Sequence, residues 1–175
     1  MRYILCGLLC AFLFVAPARA ETTIGVLDVQ YLMTQSKASA HIRKQLTDHR
    51  EDILKTLKEK EKGLIDREKK LIENRKTLSE EKFSEEVQAF EKDKMALQKM
   101  SMAYNRNLSE ASAKAERTLM EEIVQISGKL AEENKYSLII SKQQVIVGST
   151  ALDVTEEAMK RLNKALPKVE VPLSK

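Results

Sequence analysis

Proline is missing from the whole stretch between Pro17 and Pro167, and glycine between Gly25 and Gly148 occurs only at Gly63 and Gly128. These two residues interrupt helices most effectively, proline by removing an N–H and clashing with the preceding turn, glycine by its backbone freedom. Little is therefore left to break a helix over more than a hundred residues. From about Ser36 to Asn134 the chain is rich in Glu, Lys, Leu, Ala and Gln, strong helix formers whose joint excess marks long or coiled helices.

Within that stretch apolar residues recur in two narrow stripes. Leu46, Ile53 and Leu57 lead into Leu64, Leu71 and Leu78, spaced by seven, with mostly charged residues between. Phe83, Val87, Phe90, Leu97, Tyr104, Leu108, Ala111 and Ala115 follow with heptad-like spacing. One stripe per helix buries one face of each, the pattern of paired helices. The stripe drifts after Ile53 and again after Ala115, where it passes to Leu119, Ile123, Ile126 and Leu130, so bending or a change of packing partner is expected there. Between the stripes, Ser79 stands three residues before Lys82, an N-cap without a full capping box. The chain is expected to double back near Thr77–Lys82. An arm from Ser36 to Ser79 would reach on the order of 65 Å, and two helices side by side bury too little surface to stand alone, so self-association is expected.

The flanks read differently. Thr23–Val29 is a short β-branched strand, and Tyr136–Ser141 with Val145–Gly148 makes a plausible strand pair after a C-cap at Asn134. Asp153 or Thr155 then caps a short helix that carries Glu156 and Glu157 at its positive end and Met159, Leu162 and Leu166 on one face, and Pro167 stops it. Three short strands cannot bury a sheet face by themselves, but several copies could close a small barrel with them.

The start of the chain has the layout of a secretory signal: Arg2, an apolar run from Ile4 to Ala16, and Ala18-Arg19-Ala20 as a cleavage site after Ala20. The run is too short for a permanent membrane span. Both cysteines, Cys6 and Cys10, fall in this leader, so the mature chain has no thiol for a disulfide or a metal. Lipidation at Cys10 is disfavoured, because bulky Leu9 precedes it and the apolar run has not yet ended. Of the 30 basic residues two lie in the leader, which leaves a charge of only about +2 against 26 acidic residues. With Glu and Lys interleaved and no Trp, nothing here resembles a nucleic-acid surface.

Catalytic signatures are missing as well. There is no glycine-rich phosphate loop, no Gly-x-Ser-x-Gly elbow and no mature cysteine nucleophile. His41 and His49, eight residues apart, are too far along a helix to share a metal and read as solvated surface residues. The carboxylates are spread along solvated arms. No cofactor is expected. The flexible thioethers of Met95, Met100 and Met102, with Phe83 and Phe90, are the candidate client-facing residues of the arms; Tyr104 lies on the packed stripe.

Three segments together resemble the Skp/OmpH family of periplasmic chaperones from Gram-negative bacteria. They are Ile24–Gln30, then Tyr136–Lys142 with Val145–Val147, and Leu152–Glu157 leading to Lys160-Arg161-Leu162-Asn163. Their order and spacing, and the charged helical insertion between them, cover nearly the whole mature chain. The resemblance implies a mainly α fold with a small β part: a long antiparallel, coiled-coil-like helical hairpin inserted into a β body that forms an intersubunit barrel in a homotrimer. The organisation is then a leader over 1–20, a body over 21–35 and 135–167, an arm over 36–134 and a C-terminal tail over 168–175. Ile24, Val26, Val29, Leu138, Ile140, Val145 and Val147 would build the body. The implied function is an ATP-independent periplasmic holdase that binds unfolded outer-membrane β-barrel proteins in a cavity between the arms. Some members also bind lipopolysaccharide or the membrane surface through a basic cluster, which is carried to no residue here. A structural spacer or tether of the cell envelope is the alternative, and an enzyme is the third reading.

Overall fold

A computed structural model of the chain describes residues 23–173; the expected leader, with Cys6 and Cys10, lies outside them. The fold is mainly helical with a small strand part. Its elements are β1 (Ile24–Leu27), α1 (Val29–Gln35), α2 (Lys37–Asn74), α3 (Glu80–Asn134), β2 (Leu138–Ser141) and α4 (Thr155–Ala165), with two short 3₁₀ turns between β2 and α4.

The arm is α2 packed antiparallel on α3. At about 1.5 Å per residue they run roughly 57 and 83 Å. Ser79 caps α3: its extended backbone precedes the first turn, and its Oγ accepts a hydrogen bond from the Lys82 amide at 3.4 Å. Glu80 and Glu81 sit at the positive end of that helix. At the other end the left-handed residue is Lys135, φ 57°, not Asn134. Asn134 stays in the last turn and spends its side chain on the Leu130 carbonyl, while the Lys135 and Tyr136 amides close the helix onto Glu132 and Ala131.

The expected strand Thr23–Val29 is shorter than the β-branched run indicates. It stops at Leu27 because Asp28 caps α1, accepting from the Tyr31 amide at 2.8 Å, and Val29 is therefore helical. The expected pairing of Tyr136–Ser141 with Val145–Gly148 does not form. Instead β2 pairs in parallel with β1, Ile24 opposite Leu138 and Val26 opposite Ile140, and the chain at Asp153 bridges to Val26 on the other side of β1, with the Val154 amide donating to the Val26 carbonyl. Val145 lies in extended backbone after a 3₁₀ turn, and Ile146 and Val147 are fully or almost fully exposed. Parallel pairing needs a long crossover, and here the crossover is the whole arm. Gly25 makes the pairing possible, because a Cβ there would lie 3.2 Å from Ile139 Cγ1 and 3.4 Å from the Tyr136 ring.

The core sits at the arm's root. Leu32, Ala38, Ile42, Ala111, Ala115, Leu119, Ile123, Ile126, Leu130, Ala158 and Leu162 form one buried cluster with Leu27 and Val154. The drift of the apolar stripe after Ala115 is thus a change of partner: beyond it α3 packs against α1 and α4 as well as α2. Ser36, fully buried, divides α1 from α2. Its amide donates to the Leu32 carbonyl, its Oγ accepts from the Ser39 amide, and Asn163 of α4 accepts from the Lys37 amide at 2.8 Å. Arg161 of α4 forks onto Glu133 at 2.7 and 2.9 Å and holds Glu157 at 2.8 Å.

A candidate assembly edge and candidate binding arms

Two surfaces stand out, one on the body and one along the arm. On the body, β1 is the inner strand, flanked by β2 and by the chain at Asp153–Val154. Among the described residues no strand covers the outer edge of β2. Leu138 of β2 is half exposed, and Ile146 and Val147, a few residues past the end of β2, are 100% and 90% exposed. An open strand edge is a place for another chain to pair, and bare β-branched residues are surface another chain could cover.

A polar network fixes this edge to the helices. The Asp28 amide donates to Thr155 Oγ1 at 2.9 Å, and Gln143 donates to the Asp28 carboxylate at 3.0 Å. Lys142 pairs with Asp153 at 2.8 Å. Partial burial disfavours charge on Asp153, but hydrogen bonds from Lys142 and from Thr155 outweigh it and hold the carboxyl at about 2. Contact with Arg161 likewise holds Glu133 below the usual carboxylate range.

Of the seven residues expected in the body, the structure brings four into the strand pair: Ile24, Val26, Leu138 and Ile140. Val29 is on α1, Val145 follows the 3₁₀ turn, and Val147 is bare. The five arm residues divide. Phe83 and Phe90 are half-buried in the seam between the helices, and Met100 lies in a groove of about 410 Å³ with Gly63, Leu64 and Leu97, where Arg67 and Asp93 pair at 2.5 Å. Met102, roughly 200° further round the helix, lines a groove of about 540 Å³ on the other flank with Leu57 and Gln98. Met95 and Met102 are exposed at 53% and 61%.

Further exposed apolar residues went unnoticed in the sequence. Met120 and Val124 share one side of α3 with Met95 and Met102, and Leu54, Ile65 and Ile72 share one side of α2. All lie outside the packed stripe, so heptad counting passes over them: Leu54, Ile65, Ile72, Met95 and Met102 are spaced apart among polar and charged residues, while Met120 and Val124 adjoin one turn apart. The histidines also differ from expectation: His41 is half-buried with its Nδ1 3.0 Å from the Val169 carbonyl, and the half-buried His49 ring lies 5.7 Å from that of Tyr104. Among the described residues no three His, Cys, Asp or Glu side chains converge as a metal site, and no helix is long and apolar enough to cross a membrane.

The family model of the OmpH-like outer membrane proteins matches residues 23–162. A crystal structure of an OmpH-like protein of Caulobacter crescentus, described there as a candidate outer membrane chaperone, superposes with a TM-score of 0.82 at 13% identity. The alignment covers 89% of this chain and 92% of that one. Among curated proteins none matches significantly.

Proposed function

The chain belongs to the OmpH-like outer membrane protein family, and from that membership we propose that it is an ATP-independent holdase chaperone of the periplasm. Its clients are unfolded outer-membrane β-barrel proteins. Three copies associate through the open β2 edge and the bare Ile146 and Val147, closing a small barrel from which three arms enclose a cavity. No chemistry is performed; the client's strands are kept from pairing with each other until it is passed on.

The observation that carries the reading is the arm. Two helices of roughly 57 and 83 Å extend from a small core at one end, and their outer faces present scattered apolar residues set among charges. A continuous apolar seam would select one helical partner, whereas scattered contacts hold many extended chains weakly, and methionine suits such surfaces. The assembly reading is supported by the uncovered β2 edge.

The test is dilution of a urea-unfolded outer-membrane barrel protein into buffer with the mature protein and no nucleotide, followed by light scattering. Suppressed aggregation is the expected result. A spacer or tether of the envelope would leave the scattering unchanged, and that outcome refutes the chaperone reading.

A further inference from the structure

Residues 168–173 follow the stop at Pro167 and were expected only as a tail, yet they lie folded down on the root of α2. Their burial alternates: Lys168, Glu170 and Pro172 are exposed, Val169 and Val171 are buried at 6% and 7%, and Leu173 is half-buried against the core. Such a two-residue period is that of a β-strand, although among the described residues no strand lies beside it.

A side chain takes the place of the neighbouring strand. Gln45 Nε2 donates to the Val169 carbonyl at 2.8 Å, and Gln45 Oε1 accepts from the Val171 amide at 3.1 Å. In a parallel ladder one residue donates to the carbonyl of residue j−1 and accepts from the amide of j+1. The carboxamide reproduces that pattern with a single group. His41, one turn earlier on α2, sets its Nδ1 3.0 Å from the same Val169 carbonyl and 2.9 Å from Gln45 Nε2. The described hydrogen bonds from this strap to the rest of the chain all come from α2 side chains; its one backbone–backbone bond, Leu173 to Val171, is internal.

We propose that the α2 root, with Gln45 as its backbone reader, is a binding site for extended peptide segments with alternating apolar residues, and that 168–173 is its resident, displaceable occupant. The recognition needs no particular sequence. It takes a carbonyl and an amide two residues apart and two apolar side chains pointing the same way, which is β-addition onto a side chain. Transmembrane β-strands carry that alternation throughout, so unfolded barrel proteins are the competing source; in naming that source the proposal rests on the chaperone reading.

The test uses a fluorescein-labelled peptide of the sequence Lys168–Leu173 and the full chain, read by anisotropy. A variant with Val169→Asp and Val171→Asp, which frees the site, should bind the peptide at least tenfold more tightly than the unaltered chain. Adding Gln45→Ala to it should lose at least tenfold, and a peptide with Asp at both valine positions should not bind. Weak binding of the peptide by the freed, folded variant, or binding indifferent to Gln45→Ala, overturns the proposal. Hydrogen exchange on the unaltered chain decides the matter even where that variant fails to fold. The Val171 amide should exchange at least a hundredfold faster than those of Ile123 and Leu130, and faster again with an unfolded barrel protein present. Exchange only as slow as that of Ile123 and Leu130 makes the strap plain core and overturns the site. Suppressed aggregation with no change at Val171 refutes the site and leaves the chaperone reading standing; peptide binding without suppressed aggregation does the reverse.

Discussion

Replacing Ser36 by alanine removes one oxygen from the point where two helices meet, and the structure fixes what that oxygen does. Ser36 is fully buried and its Oγ accepts from the Ser39 amide at 3.2 Å. Alanine fills nearly the same space, so no cavity forms; what is lost is the partner of an amide at the start of α2. Loss of an N-cap typically costs about 1 kcal/mol and up to about 2, and burial of the orphaned amide away from water argues for the upper half of that range. Ser79 is the internal control. It caps α3 in the same way, but in the open and at 3.4 Å, where water replaces the lost oxygen, so Ser79→Ala should cost about 0.5 kcal/mol. In a chain of 175 residues, about 1.5 kcal/mol lowers the melting temperature by roughly 3–6 °C. Both variants and the parent are melted by circular dichroism at one fixed protein concentration, because association shifts apparent stability. Equal shifts for Ser36→Ala and Ser79→Ala would falsify the claim that burial sets the cost of the cap.

Three other substitutions probe the body and the seam. Gly25→Val places methyls against Ile139 and the Tyr136 ring, already 3.2 and 3.4 Å from a Cβ, and should cost about 1–3 kcal/mol in urea unfolding; an unchanged midpoint means the strands are not this close. The Tyr104 hydroxyl is buried without a partner, so Tyr104→Phe should raise stability by about 1 kcal/mol, and a clear loss would show that the hydroxyl has a role. Asp153 is held at about 2, below its unfolded value of about 3.9. Its contribution is thus complete above about pH 5 and disappears as the pH falls toward 2, worth about 1 kcal/mol after solvent screening. Urea midpoints at pH 6 and pH 2.5 should therefore fall further for the parent than for Asp153→Asn, and identical falls would mean that the pair with Lys142 adds nothing.

The parts legible in the sequence are those whose causes are local. Helix formers uninterrupted by proline make the arm, and Ser79 announces the turn because its oxygen caps the helix that starts beside it, binding an amide three residues on. The partner change after Ala115 shows as a shift in apolar spacing. What was misread depends on distant partners. Val29 continues a β-branched run, but Asp28 beside it has a helix to cap and Thr155, far along the chain, to bind its amide. Val145–Val147 has strand composition, yet β2 finds its neighbour across the whole arm in β1. Nothing local could reveal the strap, whose neighbour is the side chain of Gln45. The exposed apolar residues Leu54, Ile65, Ile72, Met120 and Val124 were missed because the heptad pattern selects residues that pack. The seam of the arm is therefore more legible in the sequence than its outer faces.

Whether three copies together shelter one client is read by titrating the mature protein against a fixed amount of urea-unfolded outer-membrane barrel protein. Aggregation is followed by light scattering and the mass of the soluble complex is measured in the same samples. Protection should saturate at about three chains per client, in a complex with the mass of three chains plus one client. Protection saturating at one chain per client, or a protein that remains monomeric while protecting, would contradict this arrangement.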